Sequence, residues 1–329
     1  MSLLGFGALY QLADQLPRPL PVVAAGGADR TVLEAMSLAH RRGWIDPILT
    51  GSLPEMQALA KGLDIDVTEF RLIDTDDPAA AAVAEVKAGR ARMLMKGQIA
   101  TPSLMKAVLN RDAGLRTDRC ICQVVLMEIA RDSRRFLLAD TGITIQPTLE
   151  QKADILRSLV HVANALRDGL GNEPPRIGIM SATEKTTDSM SDTLEAAELA
   201  RLNSVGEIKD CVVQGPLSFD LAYASDAGEK KRIEGTVVGA ADGMLFPNLL
   251  AANLTVKAIM YTADCRFGGV LCGTACPVVF MSRADSTETR LNSLAFTLRM
   301  LTARDDVARK PPDVSDLASR SQGTNHELP

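Results

Sequence analysis

The sequence predicts an α/β protein built around a mostly parallel sheet, on three observations. Short apolar runs alternate with helix-period stretches almost from end to end, the mark of successive β-α units. The apolar 46% of the chain rests on Ala, Val, Leu, Ile and 13 Met, with only 4% aromatic residues and one Trp, a mixture that suits buried parallel strands and helices better than a barrel or sandwich. At 329 residues with 23% charged side chains, the chain has material for a sizeable core and, by length, for about two domains.

PLPVVAAG (19–26) reads as the first strand. The helix after it, TVLEAMSLAHRR, places Val32, Leu33, Met36 and Leu38-Ala39 on an apolar face and stops at Gly43. PILTG, FRLID and ARMLMKG continue the strand series, each followed by a helix beginning near Pro54, Pro78 and Pro102, where proline is tolerated in a first turn. CICQVVLMEI (120–129) and RFLLA (135–139) are separated only by the charged ARDSR, a spacing that predicts a hairpin rather than a crossover. A long helix follows over roughly 148–168, then a connecting loop GLGNEPP, after which RIGIM restarts the strand-helix order. CVVQGP, GMLFP, GVL and VVFMS are further strand candidates, and the polar, aperiodic 311–329 is expected to be a mobile tail.

Composition also excludes function classes. With only His40, His161 and His326, a His-rich metal site is not expected, and His161 sits in a helical pattern rather than in a triad. The six cysteines contain no C-x-x-C pair, so neither a disulfide framework nor a zinc knuckle is indicated and a reducing cytoplasm is the natural setting. The N-terminal MSLLGFGALYQLADQL lacks a basic n-region, and no stretch nears the roughly 18 uncharged apolar residues of a membrane span. A net charge of −5 without a long basic run disfavours nucleic acid. Gly5-Phe6-Gly7 is not a dinucleotide fingerprint, and neither a P-loop nor a G-x-S-x-G elbow occurs.

Ligands of parallel α/β sheets collect beyond the carboxyl ends of strands. Five such ends carry polar groups: Lys96-Gly97-Gln98, Asp140-Thr141-Gly142, Ser181-Ala182-Thr183-Glu184, Gly215-Pro216 and Ser282-Arg283-Ala284-Asp285. Helix-start N–H groups with Arg283 and Lys96 would make an anion site suited to phosphate. Taken singly, Ser and Asp at these junctions are ordinary helix caps. Lysine after a strongly apolar strand is less easily explained that way.

The motifs in order resemble the phosphate acetyltransferase and phosphate butyryltransferase family. The similarity runs through MKGQIATPSLMKAVLNRDAGLRT (95–117), FLLADTGITIQPTLEQKADIL (136–156), IGIMSATEKTTDSMSDTLEAAELA (177–200), QGPLSFDLA (214–222), ADGMLFPNLLAANLTVKAI (241–259) and CPVVFMSRADSTETRLNSLAF (276–296). It implies transfer of a short acyl group between coenzyme A and inorganic phosphate, giving acyl phosphate. It also implies two α/β domains with a cleft between them, isocitrate/isopropylmalate dehydrogenase-like, and a homodimer. The first domain would be discontinuous, 1–118 plus 268–310, with 119–267 as the second.

By this resemblance the catalytic Ser-Arg pair falls on Ser282 and Arg283. Substrate binding falls on Lys96, Gly97, Lys106, Asp140, Ser181, Thr183, Glu184, Gly215, Pro216, Asn253 and Lys257. Coenzyme A is a substrate; no permanently bound cofactor and no metal are implied. Acetyl-specific relatives place a carboxylate seven residues beyond the serine; here Thr289 stands there, and Asp285 and Glu288 are the nearest acids. Acetyl-specific relatives also carry arginine where Met105 aligns, which leaves Lys106 as a substitute charge, and many members show aspartate and glycine where Asn248 and Ala252 stand. The S-R-A-D and G-P-L spellings lean toward the butyryl branch. Met95, Met105, Met180 and Met190 near the inferred cleft are candidates for an acyl pocket, although Met more often fills core. Two other readings stay open: a non-catalytic binder of CoA or acyl phosphate, consistent with Thr289, and a dehydrogenase on the related fold.

Overall fold

The N-terminal segment forms a helix that the sequence reading did not assign. It is α1 (Phe6–Asp14), with Phe6, Leu9 and Ala13 buried at helical spacing. The computed structural model describes residues 3–167, 173–280, 282 and 285–309. The tail 311–329, part of the loop before RIGIM, and Arg283 therefore lie outside the described residues.

The first half follows the predicted order. β1 (Leu20–Ala25) is buried along nearly its whole length, as an unbroken apolar run requires. It leads into α2 (Arg30–Arg41), whose first turn is capped by the Asp29 carboxylate accepting from Val32 N–H. β2 (Ile45–Gly51), α3 (Leu53–Gly62), β3 (Arg71–Asp74), α4 (Pro78–Lys87), β4 (Met93–Lys96) and α5 (Thr101–Val108) come next. Proline occupies the first turn of α3, α4 and α5, as expected from its fixed φ.

β5 (Cys122–Ile129) and β6 (Arg135–Ala139) form the predicted antiparallel hairpin. α6 (Leu149–Ala165) starts with a capping box between Thr148 and Gln151. β7 (Arg176–Met180), α7 (Ser191–Ser204), β8 (Val212–Leu217), the short α8 (Phe219–Tyr223) and α9 (Ala227–Lys231), β9 (Gly243–Leu245), α10 (Leu249–Thr262), β10 (Cys265–Cys272), β11 (Val278–Val279) and α11 (Thr287–Arg309) are the remaining elements of the described residues.

Among the described residues, eleven strands join one sheet in the order β3-β2-β1-β4-β11-β10-β5-β6-β9-β7-β8. The first five and the last four pair in parallel within their groups, and antiparallel β10 and β5 lie between. Two strand readings are corrected. GVL is the end of an eight-residue strand that pairs with β5 along its full length, from Cys265↔Ile129 to Cys272↔Cys122. Gly215-Pro216 does not lie at the strand's carboxyl end, because β8 continues through it to Leu217, which pairs with Met180.

α11 packs against α1, α2 and β10, and Leu291, Leu294, Phe296 and Leu298 on it are buried in the largest core cluster. Each such side chain contributes about 1.5–3 kcal/mol by leaving water. α11 thereby holds its own first turn beside the end of β4.

Candidate active site

The carboxyl ends of β1 and β4 meet at a glycine contact. Gly97 N–H donates to Ala25 O and Gln98 N–H to Gly26 O, both at 2.9 Å. A Cβ on Gly97 would stand 2.1 Å from Gly26 O, and Gly26 has φ +87°, so both positions require glycine. This contact fixes Lys96, which is only 2% exposed and whose ammonium reaches Gly97 O at 3.4 Å.

The first turn of α11 approaches the same strand ends. Asp285 Oδ2 accepts from Ser282 N–H at 2.6 Å, so the chain turns back on itself and leaves Ser282 exposed. Burial pushes the Asp285 carboxyl above the usual carboxylate range; the Ser282 N–H and the charges of Arg290, Lys96 and Lys257 pull it down. Residues distant in sequence, on β4, α10 and α11, thus act on one carboxylate.

Arg290 was not among the sequence candidates. Its side chain is fully buried. Nε donates to Thr31 Oγ1 at 2.7 Å, Nη1 donates to Lys96 O at 3.1 Å, and Nη2 is buried without a hydrogen-bond partner. A signal was present: the LNSLAFTL that follows carries no charge, so the helix had to be buried and an arginine at its start needed a specific surrounding.

The other candidates separate into groups. On α10, Asn253 Nδ2 donates to Thr141 O at 3.0 Å, which ties that helix to the end of β6. Asp140 accepts from four backbone N–H groups, those of Gln123, Gly142, Ile143 and Thr144, at 2.7–3.2 Å. Burial raises its carboxyl and these bonds lower it; the carboxylate organises the turn.

Ser181 donates to Asp192 Oδ2 at 2.6 Å and lines a cleft of about 430 Å³ with Lys152, Met180, Phe246 and Asn248. Lys152, also missed from sequence, is buried and ion-paired with Glu195. Thr183 and Glu184 follow Ser181 in the same loop, and Glu184 acts electrostatically on Lys231. Gly215 and Pro216 lie inside β8, where a Cβ on Gly215 would stand 2.7 Å from Ile179.

Lys106 is exposed on α5, and its neighbour Met105, rather than Lys106 itself, lines a cleft of about 540 Å³ with Arg116, Ile121 and Ile143. Glu288 pairs with Arg266 at 3.1 Å. Met95 is fully buried sheet core and Met180 is nearly so, whereas Met190 is the residue before α7. Thr289 is buried in the first turn of α11, where its N–H donates to Ser286 Oγ at 3.2 Å.

Fold and geometry together define an α/β protein that gathers cationic side chains and helix N termini at the ends of parallel strands. Residues 75–298 match the family described as phosphate acetyl/butaryl transferase, and the chain belongs to this family of acyltransferases. It is 38% identical over 277 residues to the phosphate butyryltransferase of Clostridium acetobutylicum, covering 83% of this chain and 91% of that one. To the phosphate acetyltransferase of Thermotoga maritima it is 36% identical over 291 residues, covering 88% and 97%. Among solved structures, a branched-chain phosphotransacylase from Enterococcus faecalis V583 superposes with TM-score 0.73 at 28% identity, covering 86% of this chain and 99% of that one. A phosphotransacetylase from Streptococcus pyogenes, at 22% identity and TM-score 0.74, covering 91% and 98%, shares the fold.

Proposed function

We propose that the protein moves an acetyl or butyryl group between coenzyme A and inorganic phosphate by direct transfer in a ternary complex. The observation that carries this reading, in a chain of this family, is the convergence of Lys96, Lys257 and the Ser282–Asp285 turn at the ends of β4 and β11. In the direction that makes acyl-CoA, the CoA thiol attacks the acyl phosphate carbonyl. The S–C bond forms, the bond from carbonyl carbon to phosphate oxygen breaks, and phosphate leaves with the electron pair. Asp285 is the base for the thiol proton, Ser282 donates to the carbonyl oxygen as it gains charge, and Lys96 with Arg283 holds the phosphoryl group.

A substrate thiol is favoured as nucleophile because burial holds Cys120, Cys211 and Cys265 above the usual thiol range, Cys211 up to about 11. Cys122 is raised too, first by its hydrogen bond to Cys272 and then by burial. These thiols stay protonated and are poor nucleophiles.

The substrates bind in a cleft between two isocitrate dehydrogenase-like domains, 1–118 with 268–310 and 119–267, bordered by α5 and the loop after β6. The active form is a cytoplasmic homodimer. The test is release of CoA, followed with a thiol reagent, from acetyl-CoA and butyryl-CoA on adding phosphate. We expect phosphate-dependent release from at least one. A folded protein that releases CoA from neither, above a blank without enzyme, overturns the reading.

A further inference from the structure

We infer that Arg290 is a positioning residue of the phosphate site: its guanidinium locks the end of β4 to the first turn of α11, so that Lys96 is held for the phosphoryl group with Asp285 beside it for the thiol proton. The inference rests on the acyltransferase reading, because it assigns the residue to phosphate and not to fold alone.

The chain itself shows what a structural arginine looks like. Arg71 and Arg90 both grip the buried Glu85 carboxylate through paired bonds of 2.7–3.1 Å, which satisfies charge and donors together. Arg290 has no such partner. Its bonds go to a hydroxyl and a backbone carbonyl, and no carboxylate forms an ion pair with it among the described residues. The charges that face it are Asp29, before α2, and Asp285, before α11; both favour its protonated form and burial opposes it. Asp29 is engaged elsewhere, accepting from Thr31 Oγ1 at 2.6 Å and from Val32 N–H at 3.1 Å.

A fully buried cation with an unused Nη2 donor is unfavourable. Placed behind Lys96, its charge adds to the positive field that an anion arriving with the substrate meets at that lysine. Its bond to the Lys96 carbonyl means that the same arginine sets where the lysine ammonium stands. Lys96 and Lys257 are the further charges on Asp285. Loss of the guanidinium should therefore weaken phosphate binding selectively.

The experiment compares Arg290→Met and Arg290→Lys with the wild-type protein, varying phosphate and acyl-CoA separately. For Arg290→Met, KM for phosphate should rise roughly tenfold or more while KM for acyl-CoA stays within about twofold, and Arg290→Lys should recover part of the loss. A phosphate KM unchanged within about twofold, or both KM values rising together, overturns the assignment. If Arg290→Met does not fold, Thr31→Val removes the hydroxyl that holds Nε and should raise phosphate KM roughly threefold; no change overturns the assignment. Absence of CoA release by the wild-type protein instead overturns the acyltransferase reading on which this one rests.

Discussion

At the residue scale, two acidic candidates near Ser282 have different surroundings. Asp285 bonds the Ser282 backbone and feels three cations, whereas Glu288 is exposed and paired with Arg266. Asp285→Asn should lower kcat by about 10²-fold or more, the usual range for loss of a general base. Glu288→Gln, which removes an exposed ion pair, should stay within about threefold. In the direction that makes acyl-CoA a base must be ionised, so with acyl phosphate and CoA as substrates activity is lost as pH falls through the folded pKa of Asp285. Burial raises that pKa, which places the acid limb of the kcat profile above the ordinary aspartate value. Lys257 opposes the rise, so Lys257→Met should move the limb to still higher pH. A kcat profile with no acid limb, or one unmoved by this substitution, would remove Asp285 from the role.

At the element scale, strand ends decide where chemistry-bearing side chains stand, and Gly97 is the tightest of them. Its Cβ would meet Gly26 O and Ala25 O at 2.1 and 2.7 Å, both backbone atoms that cannot rotate aside. Gly97→Ala should destabilise by about 1–3 kcal/mol, as overpacking does, and displace Lys96. Urea unfolding measures the first effect and phosphate KM the second; a stability unchanged from wild type would show that the two loops are free to separate. The lysine was legible in the sequence because charge directly after MLM is unusual. Arg290 was harder to read, since its surroundings come from Thr31 and Lys96, more than 190 residues earlier. Local pattern carries no trace of such contacts. Asp140 shows the opposite limit: its position at a strand end was read correctly, but the four backbone donors that occupy it depend on a turn that only the folded chain displays.

At the scale of the whole molecule, alternation of apolar and helical segments made the parallel groups legible, and the short ARDSR made the β5-β6 hairpin so. β10 was mostly hidden because Gly268-Gly269 interrupt its pattern. The fold explains them: a Cβ on Gly268 would stand 3.0 Å from Ser293 N, and Gly269 N–H donates to Ser293 Oγ at 3.0 Å. The glycines let α11 lie directly on the strand that joins the two parallel groups. One helix face has no such cover among the described residues. Leu250, Leu254 and Tyr261 on α10 are 68%, 59% and 78% exposed, and nearby Ile145 is 74% exposed. Their spacing puts the three helical residues on a single stripe, with Lys257 on the same side. An apolar stripe of this kind suits a second copy of the chain, because a twofold contact presents the same patch from both sides. In the homodimer proposed above, one substitution would enter such an interface twice, so Leu254→Glu should place two carboxylates in it and yield a monomer in light scattering after size exclusion. Circular dichroism should match wild type, since Leu254 points away from the core. A Leu254→Glu protein that remains dimeric would put the interface elsewhere, and a monomeric wild-type protein would leave the stripe for another role.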